Sequence, residues 1–295
     1  MWHKHTITAA VLGAGVLLGA SGPATADTDL SGVCPDPMRM ADTGVEGMGP
    51  LEKAFGPFKE AFTEHTGLEL ELYSLSNRTA AGNALQYDDV ELVFAGPSEF
   101  VLFDRESDIE VLFDIKRPHY GSSFYVPADS DIESLADLEG KHVALKDTGS
   151  TSGHIIPSKM LVDAGLDLDD DLEITMAGDA RIAALVNGDV AAMGGGNRDI
   201  EELEAMDPEG EYRVIAESDP LPGDPVVIRG NIAEECKAGL REALKANRDD
   251  LWEALVSTER NEDKFLNRDS ELGFSLTAED YDAIKDAYKA AGIEL

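Results

Sequence analysis

Hydrophobic and polar positions along the chain follow two periodicities, one typical of helices and one typical of strands. Residues 51–66 place apolar side chains at helical spacing, and this pattern stops at Gly67. Residues 68–75 alternate apolar with acidic or polar side chains, as strands do, and residues 90–95 form a short apolar run typical of a buried strand. The same criteria predict further helices at 79–86, 98–103, 155–164, 180–187, 234–246 and 278–291, and strands at 124–127, 142–146, 172–176, 190–193 and 226–228.

The N-terminal segment indicates export. Lys4 precedes an apolar run at residues 9–20, and Ala24-Thr25-Ala26 stands immediately before Asp27. A cationic start, a short apolar core and an A-x-A site predict a secretory signal peptide, residues 1–26, cleaved after Ala26. The apolar run is too short to span a hydrocarbon core of ~30 Å. We therefore expect a periplasmic protein.

The order of the predicted elements indicates an α/β fold with two lobes. Strand and helix alternate throughout, which favours mostly parallel sheets flanked by crossover helices. Removing 26 of the 295 residues leaves 269, which is long for one α/β layer and sufficient for two. Residues 127–130 and 220–225 are rich in turn-forming residues and are the points where we expect the chain to change lobe. We expect 27–122 and 226–295 to form lobe 1 and 123–225 to form lobe 2, with a ligand in the cleft between them.

The charge balance restricts the partners. Without Lys4 the chain keeps 23 Lys and Arg against 59 Asp and Glu, a net charge of −36. This balance argues against nucleic acid and anionic membranes as partners. The hydrophobic content of 43% is typical of a packed chain. Acidic residues are spread along the sequence, which favours a halophilic protein whose self-repulsion is screened by salt; an ordinary acidic surface is the alternative.

The two cysteines, Cys34 and Cys236, lie far apart in sequence and have no nearby histidine, so they do not form a zinc motif. In an oxidising compartment such a pair can form one disulfide, which would tie the N-terminal arm to a C-terminal helix. The alternative is two free thiols, one of them buried as a small hydrophobe. No metal and no cofactor are expected.

Residues 146–157 carry the most informative chemistry. A predicted strand ends there, a polar turn follows, and a helix begins beside three hydroxyls, Ser150, Thr151 and Ser152. The first N–H groups of a helix have no internal partner and lie at the positive end of its dipole. Together they form a donor-rich cradle for an oxyanion. The alternative is that these hydroxyls cap the helix. Capping accounts for one of the three hydroxyls and leaves the other two unexplained.

The run Ser150-Thr151-Ser152-Gly153 with Pro157 resembles the signature of the phosphate/phosphite/phosphonate-binding proteins of ABC importers. Residues 90–97, 187–192 and 221–225 are similar to three other motifs of that family, and the resemblance covers roughly residues 50–250. It implies a type II periplasmic binding fold, in which two lobes close on a ligand.

The resemblance also implies a binding site. Residues 150–152 would hold the phosphorus oxygens, and Tyr120 falls where the family places a ligand-contacting tyrosine. Asp224 falls where the family places an aspartate that accepts a hydrogen bond from the ligand's protonated oxygen. Arg78 replaces a tyrosine of the family pattern, and its planar fork of donors suits an oxyanion; the alternative for Arg78 is a surface ion pair.

Two further differences from the family pattern bear on the identity of the ligand. Gly178-Asp179 stands where some members of the family have a histidine, and clear acidic partners for an amino group are missing, although Asn197 and Asp199 lie in the corresponding stretch. These differences disfavour aminoalkylphosphonates. They favour phosphite, phosphate or a simple phosphonate.

The resemblance therefore implies a monomeric solute-binding protein that passes its ligand to the membrane permease of an ABC importer. The alternative is a periplasmic sensor of an oxyanion, such as arsenite or phosphate, that reports to a membrane kinase. Enzymatic motifs such as G-x-S-x-G and H-E-x-x-H do not occur, and no base is identifiable for the hydroxyls of residues 150–152. We do not expect an enzyme.

Overall fold

A computed structural model describes Met1 and residues 29–45, 47–78 and 80–293. The predicted cleavage after Ala26 lies outside the described residues. Among the residues that are described, no helix has the length and apolarity needed to cross a membrane.

In this part of the chain, eleven strands form two sheets of six and five strands. The first sheet has the order β11-β4-β10-β3-β1-β2. Its strands are β1 (Met38–Asp42), β2 (Leu70–Leu72), β3 (Leu92–Phe94), β4 (Ile109–Lys116), β10 (Asp224–Arg229) and β11 (Glu271–Gly273). The helices of this lobe are α1 (Met48–Thr66), α2 (Ala80–Gln86), α3 (Pro97–Glu106), α7 (Glu234–Ala246), α8 (Arg248–Val256), α9 (Glu259–Lys264) and α10 (Asp282–Ala290).

The second sheet has the order β7-β6-β8-β5-β9. Its strands are β5 (Ser122–Pro127), β6 (His142–Leu145), β7 (Glu173–Met176), β8 (Ala192–Gly196) and β9 (Tyr212–Glu217). The helices of this lobe are α4 (Ile156–Asp163), α5 (Ala180–Val186) and α6 (Asp199–Met206). A π-helical turn, Thr151–Ile155, leads directly into α4.

The chain crosses between the lobes at residues 117–121 and 218–223. Ser122 already pairs with β8 in the second sheet, and Asp224 and Pro225 pair with β4 in the first. The crossings therefore lie one and two residues before the predicted boundaries. A strand begins where its backbone first pairs with the sheet, and the residue at that position can be polar, as Ser122 and Asp224 are.

The α/β fold with two lobes is confirmed, but both sheets are mixed rather than mostly parallel. Within each lobe one strand has two parallel neighbours: β1 pairs in parallel with β2 and β3, and β6 with β7 and β8. Strands β5 and β10 arrive from the opposite lobe, and each is antiparallel to both neighbours. The antiparallel pairs of β5 and β10 thus follow from the two crossings, which bring a strand into the sheet without a crossover helix; β11 adds a further antiparallel pair with β4.

Both faces of the first sheet are buried, so successive residues of its strands are apolar. Leu92 and Phe94 pack with Phe55 and Phe58 of α1 on one face, whereas Val93 packs in the cluster on the other. Burying each such side chain contributes about 1.5–3 kcal/mol. The opposed clusters hold β1, β3 and β10 rigidly, and the carboxyl ends of β1 and β3 lie at the cleft.

The helices at 51–66 and 234–246 are confirmed as α1 and α7. Helix α1 ends at Gly67, whose φ of 71° is the left-handed conformation favoured by glycine. Strands β1, β4, β9 and β11 were not predicted. In β4 the acidic residues Glu110 and Asp114 interrupt the apolar run, yet Asp114 is buried and accepts hydrogen bonds from the backbone of a distant segment.

Cys34 and Cys236 form a disulfide in the structure, with their Cα atoms 5.0 Å apart. Cys236 lies in α7, and both cysteines are buried beside Leu30 in the core of the first lobe. The bond closes a loop of 202 residues that includes the whole second lobe. It fastens the N-terminal arm to α7.

We expect the double variant Cys34→Ser/Cys236→Ser to lower the free energy of unfolding by about 2–5 kcal/mol, because the unfolded chain loses a long-range constraint. Guanidinium denaturation followed by circular dichroism measures the change. Thiol titration of the denatured wild type should find no free cysteine; two free thiols, with equal stability of both proteins, would contradict the assignment.

Candidate functional site

The six predicted ligand-binding residues all line one cavity of about 310 Å³ between the lobes. Arg78 and Asp224 belong to the first lobe, and Tyr120 lies in the first crossing. The three hydroxyls of residues 150–152 belong to the second lobe. The structure thus brings together residues that are up to 146 positions apart in sequence, counted from Arg78 to Asp224.

The cradle, residues 149–153, connects β6 to the turn before α4. The carbonyl oxygen of Ser150 accepts hydrogen bonds from the N–H groups of His154 and Ile155, which sets the wide first turn. The N–H groups at the start of this turn have no carbonyl acceptor within the helix, because no helical turn precedes them. They are therefore available to a ligand. Gly153 is required here, because a Cβ would lie 2.3 Å from that of Lys146.

His154 stabilises the cradle from behind. Its Nδ1 accepts a hydrogen bond of 3.0 Å from the N–H of Gly149, whose φ of 86° favours glycine. Burial lowers the pKa of His154, which keeps the ring neutral and Nδ1 free to accept. This histidine therefore fixes the loop conformation and needs no ligand to explain its burial.

The hydroxyl of Thr151 joins the two lobes. It accepts a hydrogen bond of 3.0 Å from the N–H of Ser98 and lies 2.7 Å from the Ser98 hydroxyl. Ser98 is near the start of α3 in the first lobe, and its hydroxyl also lies 2.6 Å from the carbonyl oxygen of Gly149. The lobes are therefore in direct contact beside the cradle, and the Thr151 side chain is already engaged.

Asp224 forms the centre of the cleft floor. One carboxylate oxygen accepts from Arg117 Nη1 at 2.9 Å and the other lies 2.8 Å from Lys264 Nζ. Burial alone would raise the pKa of Asp224, but the two cations outweigh it and lower this pKa to about 2. The carboxylate is thus ionised, as the predicted acceptor role requires. That role stays a prediction, and the structure adds a second one, which is to hold Arg117 and Lys264.

Tyr120 lies against one of these cations, Arg117. The guanidinium carbon of Arg117 is 3.6 Å from the centre of the Tyr120 ring, a close cation–π contact. Burial raises the pKa of Tyr120, and Arg117 and the Ser152 hydroxyl only partly offset this rise. The phenol therefore stays protonated at neutral pH and can donate a hydrogen bond into the cleft.

Arg78 lies at the edge of the cavity in an ion pair. Its Nη1 is 2.9 Å from Glu99, which is buried, and its Nη2 is 3.8 Å from Asp147 of the second lobe. Part of the guanidinium fork is thus occupied by protein carboxylates. Contact of Arg78 with a ligand remains a prediction.

The cavity holds more positive than negative charge, although the protein is strongly acidic. Within the described ranges, seven Lys and Arg and six Asp and Glu side chains line it. The seven cations are Arg78, Arg117, Lys146, Arg181, Arg198, Arg260 and Lys264. The cavity thus contains seven of the 24 Lys and Arg residues of the sequence but only six of its 59 Asp and Glu residues. Basic residues are therefore concentrated in the cleft.

Among the cations of the cavity, Arg198 is the one whose charge protein carboxylates neutralise least. No carboxylate of the described residues lies within 4.0 Å of it, and it donates to the backbone carbonyls of Asp263 and Lys264 across the cleft. Burial, Arg117 and Arg268 lower the pKa of Arg198, and burial, Arg260 and Arg117 lower that of Lys264. Mutual repulsion of this kind favours an anion between the cations.

Sequence reasoning missed Arg117, Arg198 and Lys264. Arg117 follows β4 and lies in a crossing, and Arg198 comes two residues after β8. A basic residue directly after a strand is a usable signal in a chain with so few of them, because ligands bind at the carboxyl ends of strands. Lys264 ends the short helix α9 and gives no comparable signal.

Comparisons with known proteins agree with this geometry. Residues 48–267 match the family model described as ABC transporter, phosphonate, periplasmic substrate-binding protein. The phosphate-import protein PhnD of Mycolicibacterium smegmatis is 26% identical over 206 residues, 64% of each chain. The phosphonates-binding periplasmic protein of Escherichia coli is 25% identical over 199 residues, 63% of this chain and 59% of that protein. The match thus spans less than two thirds of either relative.

Among solved structures, PhnD1 from Prochlorococcus marinus in complex with methylphosphonate has a TM-score of 0.69 at 18% identity. It is matched over 88% of this chain and 100% of its own. At this identity the likeness establishes the fold, which is that of a two-lobed periplasmic binding protein.

The lowered pKa of Asp224 predicts an acid-dependent loss of stability. The ionised carboxylate stabilises the folded state above its unfolded pKa near 3.8, and the stabilisation is lost as pH falls through about 2. We expect Asp224→Asn to be less stable than wild type at neutral pH, and the gap to narrow by on the order of 2 kcal/mol between about pH 5 and pH 2. Urea denaturation at each pH measures it.

Glu209→Gln removes an exposed carboxylate and serves as the control, which should follow wild type throughout. A gap between wild type and Asp224→Asn that stays constant over the whole pH range would contradict the ionised pair.

Proposed function

Because the chain belongs to the family of periplasmic substrate-binding proteins of phosphonate ABC transporters, we propose that it binds a small phosphorus oxyanion between its lobes and delivers it to a membrane permease. The ligand would be phosphite, phosphate or a simple phosphonate. The observation that carries the proposal is the concentration of basic residues in the cleft of a protein with a net charge of −35.

A protein of this charge repels small anions at long range, so affinity for one must come from local groups. Arg198 supplies positive charge that no described carboxylate neutralises within 4.0 Å, and Arg117 and Lys264 share a single carboxylate, Asp224. Burial strengthens these interactions, because the effective dielectric constant in the cleft is lower than in water. An anion in the cleft would offset the repulsion among the cations.

The cradle supplies the directional contacts. We infer that the backbone N–H groups at the start of the π-helical turn and the hydroxyls of Ser150 and Ser152 donate to the phosphorus oxygens. Tyr120, which also lines the cavity, can donate as well, and Asp224 can accept from a ligand oxygen that keeps its proton. Donors and one acceptor together select an oxyanion in a protonated, singly charged form.

Contacts from both lobes explain how binding would be transmitted to the permease. Ser98 and Thr151 already meet across the cleft, and Arg198 reaches the backbone of α9. A ligand that bonds to the cradle and to Lys264 favours the closed arrangement of the lobes by its differential affinity for it. We further propose a periplasmic location and a halophilic source, where salt screens the acidic surface.

Isothermal titration calorimetry of the wild-type protein with phosphite, phosphate, methylphosphonate, sulfate and arsenite tests the proposal. We expect the phosphorus ligands to bind and sulfate to fail, because sulfate has no proton for Asp224 near neutral pH. A bound ligand at about 100 times its Kd should stabilise the fold by ~2.7 kcal/mol. Binding of arsenite alone would instead favour a sensor, and equal binding of sulfate would refute the selection mechanism.

We expect Ser150→Ala and Ser152→Ala each to weaken binding of the best phosphorus ligand by about 1–3 kcal/mol, because a hydrogen bond to a charged group is lost. Ser130→Ala, in a turn of the same lobe outside the cleft, is the matched control and should bind like wild type. Unchanged affinity in both cradle variants would remove the cradle from the site.

A further inference from the structure

A second chamber of about 310 Å³ adjoins the main cavity. The two share five lining residues, Arg117, Tyr120, Asn197, Arg198 and Lys264. Beyond this shared wall the second chamber is lined by His119 and Glu201 and by residues 267–270 of the first lobe. The two chambers are therefore adjacent along these five residues.

The second chamber is also basic. Within the described part of the chain, Arg117, Arg198, Lys264 and Arg268 line it, against the carboxylates of Glu201 and Asp269. Glu201 is already engaged in a two-bonded ion pair with Arg268 across the lobes. The positive charge of the main cavity thus continues into the second chamber.

Two polar groups of the second chamber lack partners. The hydroxyl of Ser270 is buried, with 7% of the residue exposed, and makes no hydrogen bond to any described residue. The Nε of Arg268 is likewise buried and donates to none of them. A buried donor without an acceptor costs about 1–3 kcal/mol, so an acceptor brought to either group would be stabilised there.

We propose that the second chamber takes a second anionic group, so that the preferred ligands are phosphonates with a carboxylate on a short carbon chain. This inference rests on the proposed function, since it places the phosphorus oxyanion in the cradle. The carboxylate would accept from the Ser270 hydroxyl and the Arg268 guanidinium, beside the charge of Arg198. An ammonium group in the same place would meet these cations and be repelled.

Four phosphonates separate charge from size in calorimetric titrations of the wild-type protein. Phosphonoacetate carries the carboxylate, isobutylphosphonate has the same branched shape without charge, and 2-aminoethylphosphonate carries a cation. Methylphosphonate is the reference for the phosphorus group alone. We expect phosphonoacetate to bind about tenfold or more tighter than methylphosphonate, as one hydrogen bond to a charged group predicts, and 2-aminoethylphosphonate to bind most weakly.

Arg268→Gln and Glu201→Gln form a matched pair, because both break the same ion pair across the lobes but only the first removes the cation. The readout is the ratio of the methylphosphonate Kd to the phosphonoacetate Kd. We expect Arg268→Gln to abolish the preference, Glu201→Gln to keep or increase it, and Ser270→Ala to reduce it. If the two ion-pair variants lower the ratio alike, Arg268 is only a contact between lobes and the inference is overturned.

The ligand series distinguishes the two proposals. If methylphosphonate binds and phosphonoacetate binds no tighter than isobutylphosphonate, the second anionic site is refuted while the proposed function stands. Tighter binding of 2-aminoethylphosphonate than of phosphonoacetate has the same consequence. If none of the four phosphonates binds, this inference fails, and the proposed function fails with it only if phosphite and phosphate also do not bind.

Discussion

Burial of Arg117 and Lys264 against the single carboxylate of Asp224 determines the character of the cleft. Placing ionised groups away from water is costly, and the cost is recovered only where partners are close and well oriented. Here both carboxylate oxygens are within 3 Å of a cation, and the charge of the trio is still positive. The same trio connects β10, the first crossing and α9, so the floor of the cleft joins elements from both ends of the first lobe.

The positive cleft and the acidic surface have complementary effects. The excess of 59 acidic over 24 basic residues creates a field that repels other anionic macromolecules. Small anions experience the same repulsion until they reach the cleft, where the basic side chains are concentrated. Salt weakens the long-range repulsion more than the interactions inside the cleft, because buried charges are screened less than exposed ones.

The fold class and the strand, turn and helix around residues 150–152 could be predicted from the sequence, because both depend on local patterns. The strand before residue 146, the hydroxyls of Ser150 to Ser152 and the following helix are contiguous, and their chemistry can be inferred from neighbours along the chain. Tyr120 and Asp224 came from the family resemblance alone. Both were placed in the cavity, but the ion pairs of Asp224 were not foreseen.

The missed features all depend on contacts between distant segments. Strand β4 carries a buried Asp114 that is accommodated by the backbone of Ser275 and Leu276, which local periodicity cannot reveal. Arg198 is important because no described carboxylate lies within 4.0 Å of it and because it donates a hydrogen bond to the backbone of Asp263. Lys264 contributes only because α9 folds over the cleft. Such properties are set by tertiary structure.

The central claim is that the positive charge of the cleft binds an anion, and Arg198 tests it most directly. Arg213, like Arg198, has no described carboxylate within 4.0 Å and donates to backbone carbonyls, but it lies outside the cavity. Arg198→Gln and Arg213→Gln therefore change the net charge equally. Calorimetry with methylphosphonate should give roughly tenfold or weaker affinity for Arg198→Gln and wild-type affinity for Arg213→Gln. Equal affinities of the two variants would contradict the claim.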